Sequence, residues 1–164
     1  MEKQPRQAVL PLIMSLVLML APMVPFLAAQ PAQAQETPPS QDQAVQIDSS
    51  NTFTAALKGD GTVWAWGMND LGQLAGYTEA SSNAPVRIIG GAEAPYIQQI
   101  AVGGTFGAAL DTDGHVWVWG TIGSETYDEP LVFETDDKTV ISIKAGETFL
   151  VALTAEEDGG LVYT

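Results

Sequence analysis

The stretch that decides the fold is Thr-Phe-Thr-Ala-Ala-Leu-Lys-Gly-Asp-Gly-Thr-Val-Trp-Ala-Trp-Gly, residues 52–67. A second copy begins 53 residues later, at residues 105–120, and 11 of the 16 aligned positions are identical. A third copy begins with Thr-Phe-Leu-Val-Ala-Leu at residues 148–153 and runs to Thr164. Unrelated sequences would share about one position in such a window, so the chain is built from an internal repeat.

Each copy has the pattern of a β-hairpin. Apolar side chains alternate along residues 53–57, and Trp64 and Trp66 lie two positions apart, so both rings project from one face of a strand. Asp60-Gly61 separates the two strands of the first copy, and Asp113-Gly114 separates those of the second. Asp-Gly between alternating runs is a strong hairpin signal, because the turn needs positive φ.

Two further extended segments flank each hairpin. The upstream one ends at Ile47 in the first copy and spans residues 97–102 and 140–145 in the others. The downstream one spans residues 84–89 and 129–133 and has a proline near its start, as expected of an edge strand. We therefore predict an all-β fold of about two and a half four-stranded antiparallel blades of a β-propeller, in units 45–96, 97–139 and 140–164.

The combined motif resembles the regulator of chromosome condensation repeat family. The matching elements are Ala-Leu, Asp-Gly-x-Val, Trp-Gly and, in the first unit, Asn-Asp-Leu-Gly-Gln-Leu at residues 69–74. The resemblance covers roughly residues 45–164 and implies structural roles for the repeat residues Phe53, Leu57, Asp60, Gly61, Trp64, Trp66, Gly67, Gly72, Phe106, Leu110, Asp113, Gly114, Trp117, Trp119, Gly120, Phe149 and Leu153. Kelch repeats are the competing propeller family, but the paired glycines at 90–91 and 103–104 lie too close together to mark one blade each.

The chain departs from the family pattern at several positions. Phenylalanine replaces the usual histidine at residues 53, 106 and 149, which indicates a drier junction between blades, and Ala75 stands where a glycine is usual. The second unit lacks the Asn-x-x-Gly-Gln-Leu segment, and its loop is ten residues shorter. The third unit has an insertion in its turn at residues 155–160.

The first 34 residues have the three parts of a secretory signal peptide. A basic start with Lys3 and Arg6 precedes an apolar stretch over residues 8–29, and Ala-Gln-Ala ends at Ala34. We expect a signal helix that is cleaved after Ala34 and a protein exported to a periplasm, a cell surface or the medium. An uncleaved membrane anchor is the alternative, because the apolar stretch is long. Residues 35–44 are predicted to be a flexible leader.

Charge and composition limit the partners. Beyond residue 34 the chain has 19 acidic residues and four basic ones, which gives a net charge of −15. The basic residues are Lys58, Arg87, Lys138 and Lys144. Such a surface repels phosphate backbones, so we expect no nucleic-acid binding and a preference for cationic partners. The chain has no cysteine, which excludes disulfides, thiolate chemistry and cysteine metal sites.

The repeat count is low for a closed propeller, which typically has about 4–8 blades. Three explanations stay open: the chain is a truncated reading frame, it is a protomer that completes a ring with partner chains, or it is an open curved sheet.

No residue pattern predicts catalysis, a cofactor or a metal site. His115, the sole histidine, follows a hairpin turn and is expected at the surface without the positioned partner that a catalytic histidine needs. Asp111-Thr112-Asp113-Gly114 has faint calcium-loop character, and a type I′ turn is the competing interpretation. The acidic run at residues 156–158 is expected to be a solvated turn. The four tryptophans are expected to pack between blades rather than to form a sugar-binding strip.

The sequence favours an exported, non-enzymatic module that binds a protein or cell-surface partner. The loops after each Trp-Gly, residues 68–83 and 120–129, are the predicted contact surface, because loops on a rigid sheet carry recognition. The alternative is a fragment of a larger surface enzyme or adhesin whose catalytic domain lies beyond residue 164. A calcium- or glycan-binding enzyme within these residues is the least favoured hypothesis, because no cluster of convergent polar residues is evident.

Overall fold

The computed structural model describes residues 40–136 and 138–155 and the backbone of residues 162 and 163. These residues form strands and turns without an α-helix. The strands are β1 (Ala44–Ser49), β2 (Phe53–Lys58), β3 (Val63–Met68), β4 (Ser81–Ile89), β5 (Ile97–Val102), β6 (Phe106–Asp111), β7 (Val116–Ile122), β8 (Glu125–Phe133), β9 (Val140–Ala145), β10 (Leu150–Thr154) and β11 (Val162–Tyr163).

The strands pair in chain order into antiparallel sheets. The first blade is β1-β2-β3-β4, the second is β5-β6-β7-β8, and the third contains β9-β10-β11 within the described part of the chain. The predicted all-β architecture of two four-stranded blades and part of a third is therefore confirmed. The predicted signal helix, the leader up to residue 39 and most of the turn insertion at residues 155–160 lie outside the described residues.

The hairpin turns differ from the predicted type I′ geometry. Gly61 N–H donates to the Lys58 carbonyl and Lys58 N–H donates to the Thr62 carbonyl, so three residues separate the paired positions. Gly61 and Gly114 have φ of +79° and +89°, whereas Asp60 and Asp113 keep negative φ. This arrangement is a type I turn followed by a glycine in the left-handed region, the usual three-residue hairpin loop.

Three predicted boundaries also need correction. Residues 81–83, predicted as loop, begin β4, which pairs with β3 from Met68 onward. Residues 120–129, predicted as a loop, are mostly strand: β7 continues to Ile122, and β8 begins at Glu125 after a two-residue turn. The ten residues missing from the second unit are thus replaced by a direct hairpin between β7 and β8. The first strand ends at Ser49 rather than Ile47.

Each sheet has two faces, which we name by the repeat residues they carry. The forward face carries the phenylalanine and leucine of the second strand, such as Phe53 and Leu57 in β2. The backward face carries the isoleucine of the first strand and the tryptophans of the third strand, such as Ile100 and Trp119 in the second blade. Residues paired directly across antiparallel strands share a face, so the registers fix this assignment.

The core lies where the forward face of one blade packs on the backward face of the next. Phe53, Leu57 and Val63 of the first blade share a buried cluster with Ile100 and Trp119 of the second. The forward face of the second blade likewise packs on the third, in a cluster that contains Phe106, Leu110, Ile143 and Leu150. Each Å² of apolar surface removed from water contributes about 25 cal/mol, so these junctions are the main source of stability.

Hydrogen bonds repeat at both junctions. Gln46 in β1 accepts a hydrogen bond from Ile100 N–H at 2.9 Å, and Gln99 in β5 accepts one from Ile143 N–H at 2.9 Å. The carbonyls of Gly61 and Gly114 accept hydrogen bonds from the first residues of β5 and β9, respectively. Main-chain groups that the sheets leave unpaired at the blade boundary are satisfied in this way.

The tryptophans divide into two pairs. Trp119 is fully buried and Trp117 is half-buried, and both pack in the junction with the first blade as predicted. Trp64 and Trp66 occupy the same repeat positions on the backward face of the first blade, but they are only half-buried. The prediction that all four pack between blades is confirmed for Trp117 and Trp119 and stays a prediction for Trp64 and Trp66, since no described blade lies against their face.

Candidate protein-binding cleft

Residues 69–80, which connect β3 to β4, are held in one conformation by the side chain of Asn69. Its Nδ2 donates to the carbonyls of Tyr77 at 2.6 Å and Glu79 at 2.9 Å. Its Oδ1 accepts a hydrogen bond from Leu74 N–H at 2.8 Å. A single amide thus ties both ends of the segment together and supplies hydrogen-bond partners to a connection that lacks regular secondary structure.

Gln73 joins this segment to the second blade. Its side chain is fully buried, accepts a hydrogen bond from Leu71 N–H and donates one to Asp70. The Gln73 carbonyl accepts a hydrogen bond from the indole N–H of Trp119 at 2.9 Å. Residues 69–74, which follow the first Trp-Gly, therefore cover the end of the junction between the first and second blades where Trp119 lies. This contact explains why Trp119 is completely buried.

Backbone geometry explains one glycine position of this segment and bears on one departure from the family pattern. Gly72 has φ of +78°, and a Cβ built there would lie 3.5 Å from the Cα of Gly120 in the second blade. Ala75, which stands where the family usually has glycine, has φ of +35°. A non-glycine residue in the left-handed region is strained, so Ala75 carries a backbone cost that glycine would avoid.

The two segments that the sequence predicts as the contact surface line one cleft. Its walls are residues 69–72 and 76–80 on one side and Thr121, Thr126 and Asp128 on the other, and it encloses about 570 Å³. Thr121 Oγ1 joins the walls by donating to the Leu71 carbonyl at 2.9 Å. Three acidic side chains border the cleft, namely Asp70, Glu79 and Asp128, and none of the described residues that line it is basic. The sequence pattern identified both segments, but it did not indicate that they meet.

The hairpin turns at the opposite ends of the same strands are fixed by carboxylates. Asp60 accepts hydrogen bonds from the N–H and hydroxyl of Thr62, and Trp64 Nε1 donates to that hydroxyl at 2.9 Å. The hydroxyl hydrogen bond of Thr62 is the main reason that the pKa of Asp60 is lowered, and desolvation opposes it. The ammonium of Lys58 lies 4.6 Å from the centre of the Trp64 ring, a cation–π contact.

In the second blade the carboxylate moves to the position of Lys58. Asp111 is buried and accepts hydrogen bonds from the N–H groups of Asp113 and His115 and from Trp117 Nε1 at 2.9 Å. Desolvation raises the pKa of Asp111, but these hydrogen bonds together outweigh it and leave the pKa lowered. Both copies thus anchor the tryptophan indole to the turn, with different side chains.

His115 lies at the surface as predicted, and its side chain is 58% exposed. The expectation that it has no positioned partner is wrong, because its Nδ1 lies 3.2 Å from Asp111 Oδ2. The same Asp111 oxygen accepts the Trp117 indole hydrogen bond, so this carboxylate is part of the turn rather than a dedicated partner of the histidine.

The Asp111–Gly114 segment is a hairpin turn whose Asp111 oxygens already accept hydrogen bonds from the chain itself. Within residues 40–136 and 138–155, no group of three or more His, Cys, Asp or Glu side chains is placed to hold a metal ion. No helix of the described residues is long and apolar enough to cross a membrane. The anchor hypothesis for residues 8–29 falls outside that part of the chain.

The fold and the repeated junctions define a set of β-propeller blades built from a recurring hairpin unit. Two models of the regulator of chromosome condensation (RCC1) repeat match the chain, one at residues 60–110 and the other at residues 44–73 and 97–124. The chain therefore carries RCC1 repeats, as its motifs indicated.

The chain spans less than a third of the length of the relatives it matches here. The chain is 36% identical over 76 residues to the mouse RCC1-like G exchanging factor-like protein, and the aligned region covers 46% of this chain and 16% of that protein. It is 30% identical over 129 residues to the human regulator of chromosome condensation, covering 71% of this chain and 30% of that protein. The crystal structure of yeast RCC1 (Prp20) bound to Kap60 shares the fold, with a TM-score of 0.60 at 20% identity, over 73% of this chain and 31% of the yeast chain.

Proposed function

We propose that this chain is an exported, non-enzymatic module that binds a basic segment of a protein partner in the cleft between residues 69–80 and 121–128. The observation that carries the proposal is the cleft itself, where two hydrogen-bonded segments of neighbouring blades place Asp70, Glu79 and Asp128 around one opening. Opposite charge increases the association rate and selects the partner, and a prearranged cleft loses little entropy on binding.

Two further findings support a protein partner. Yeast RCC1, which has this fold, is bound to the protein Kap60 in its crystal structure. The net charge of −14 disfavours nucleic acid and favours cationic protein segments.

Export is proposed from the signal-peptide pattern of residues 1–34. Amino-terminal sequencing of the secreted protein is expected to begin at Gln35, and a protein that begins at Met1 and stays in the membrane fraction would contradict export.

The test of the cleft uses a fluorescent oligolysine peptide as the probe. We expect binding at low ionic strength that weakens as salt is added, and no binding of an oligoglutamate peptide. Removing two cleft charges with Glu79→Gln/Asp128→Asn is expected to weaken oligolysine binding about three- to tenfold. The matched control, Asp42→Asn/Glu93→Gln, removes two exposed charges outside the cleft. Equal loss of affinity in both variants would show that only net charge is sensed and would reject the cleft.

A larger surface enzyme or adhesin that contains these blades is the second candidate. The chain spans 16% of the mouse protein and 30% of the human one, so both of these relatives contain sequence beyond the matched part. Sequencing the gene past the codon for Thr164 distinguishes the two. Further repeats support the binding module, and an appended catalytic domain supports the second candidate.

A further inference from the structure

A second pocket lies at the same end of the blades as the cleft. Because successive strands are antiparallel, the turn between the first and second strands of each blade lies at the same end as the connection between the third and fourth strands. Three such turns, one from each blade, line a pocket of about 410 Å³ with residues 50–52, 102–105 and 145–148. We name it the inner pocket, because it lies beside β1, β5 and β9, the strands that neighbour one another across the blade junctions.

Hydrogen bonds and a close backbone contact join the three turns. Thr52 Oγ1 donates to the Gly104 carbonyl at 2.6 Å, and Gly104 N–H donates to the Glu147 carbonyl at 2.8 Å. A Cβ built on Gly104 would lie 2.8 Å from the carbonyl oxygen of Glu147 and 3.0 Å from its Cγ. The second glycine of the pair at residues 103–104 therefore allows the third turn to approach, and the stem of the Glu147 side chain lies against it.

The inner pocket offers polar groups that suit a cation. Its exposed polar side chains include the carboxylate of Glu147, the amide of Asn51 and the hydroxyl of Thr148. None of the described residues that line it is basic. Ammonium and guanidinium groups are multiple hydrogen-bond donors, so a carboxylate with neutral acceptors nearby matches them in charge and in hydrogen bonding.

The inner pocket and the cleft share a wall. Thr105 lines the inner pocket and Thr121 lines the cleft. Thr121 N–H donates to the Thr105 carbonyl at 2.9 Å, and Thr105 Oγ1 donates to the Thr121 carbonyl at 2.7 Å. A single extended segment that crosses this threonine pair therefore contacts both openings.

We propose that the basic segment of the partner occupies both openings, with one cationic side chain in the cleft and another at Glu147 in the inner pocket. This inference rests on the proposed function of the cleft. The cleft lies at the third and fourth strands and the inner pocket at the first and second, two to three strand spacings or roughly 10–14 Å apart. An extended chain advances about 3.3 Å per residue and alternates its faces, so cationic residues about four positions apart fit both openings.

Two fluorescent peptides of identical composition and blocked termini test the spacing with the full chain. The spaced peptide is Lys-Lys-Ser-Ser-Ser-Lys and the compact peptide is Lys-Lys-Lys-Ser-Ser-Ser, so both fill the cleft but the spaced one alone also reaches Glu147. At low ionic strength the spaced peptide is expected to bind about two- to fivefold more tightly. Glu147→Gln is expected to remove that advantage, because the second lysine loses its carboxylate.

Glu93→Gln is the matched control, because Glu93 is an exposed carboxylate between β4 and β5, at the opposite end of the blades. It is expected to keep the preference for the spaced peptide, whereas the cleft variant Glu79→Gln/Asp128→Asn is expected to weaken the binding of both peptides. Equal affinity of the two peptides for the unsubstituted chain, or a preference that survives Glu147→Gln, overturns the role of the inner pocket and leaves the cleft proposal standing. Binding of neither peptide overturns both proposals.

Discussion

The second blade is covered by a neighbouring blade on both faces, whereas within the described residues the first and third blades are each covered on one face. Phe106 is fully buried and Phe149 is 52% exposed, although both occupy the same position of the repeat. Ile100 and Ile47 differ in the same way on the backward face. The comparison teaches that in this repeat the burial of an apolar position is determined by the neighbouring blade, as expected for an array stabilised by nearest-neighbour contacts.

The largest expected effect comes from the same substitution at two equivalent positions of the repeat, Phe106 and Phe149. Phe106→Ala leaves a cavity in the junction between the second and third blades and is expected to lower the free energy of unfolding by about 3–5 kcal/mol. Phe149→Ala removes a half-exposed ring and is expected to cost less than about 1 kcal/mol in the monomer. Urea unfolding at low protein concentration measures both, and Phe106→Leu replaces Phe106→Ala where the latter does not fold. Equal costs would contradict the assignment of the two faces.

A smaller effect is expected where Trp119 lies against the sheet. Gly107 pairs directly with Trp119, and a Cβ built on Gly107 would lie 2.2 Å from the indole ring. Gly107→Ala is therefore expected to displace the ring and to lower the free energy of unfolding by about 1–3 kcal/mol.

Thr54 is the matched control, because it pairs with Trp66 at the equivalent position of the first blade, where the face is open. Thr54→Ala is expected to change the unfolding free energy by less than about 0.5 kcal/mol. A Gly107→Ala protein as stable as the unsubstituted chain would show that Trp119 does not need this close approach.

The strands and the blade order were predictable because they depend on local patterns. Alternation along β2 and β6, the Asp-Gly turns and the repeat itself require no knowledge of distant residues. The turn class was not predictable from Asp-Gly alone, because both the two-residue and the three-residue loops use a glycine with positive φ. The difference lies in the φ of Asp60 and Asp113, which the dipeptide does not determine.

The cleft was predictable only in part. The sequence pointed to the segments after each Trp-Gly, but the shorter second segment forms a hairpin with β8 rather than a loop. The contact between the segments depends on Thr121 and Leu71, 50 positions apart, and on the indole of Trp119 reaching the Gln73 carbonyl. Such contacts follow from how two blades stack, which a single repeat does not encode.

The last comparison is between the two hairpin turns and concerns pH. Because the pKa of Asp111 is lowered on folding, its carboxylate stabilises the native state above the ordinary value of 3.8, and this contribution is lost as pH falls through the lower folded pKa. Asp111→Asn is expected to cost about 1–2 kcal/mol at pH 7, because the hydrogen bonds of Trp117 and His115 lose a charged acceptor. The cost is expected to shrink toward pH 2.

Unfolding free energies measured in urea between pH 2 and pH 7 check the effect. Asp113→Asn is the control, since Asp113 is exposed and contributes its N–H rather than its carboxylate to the turn. A difference between Asp111→Asn and the unsubstituted chain that stays constant with pH would show that Asp111 acts through packing alone. In that case the lowered pKa would not contribute to the stability of the turn.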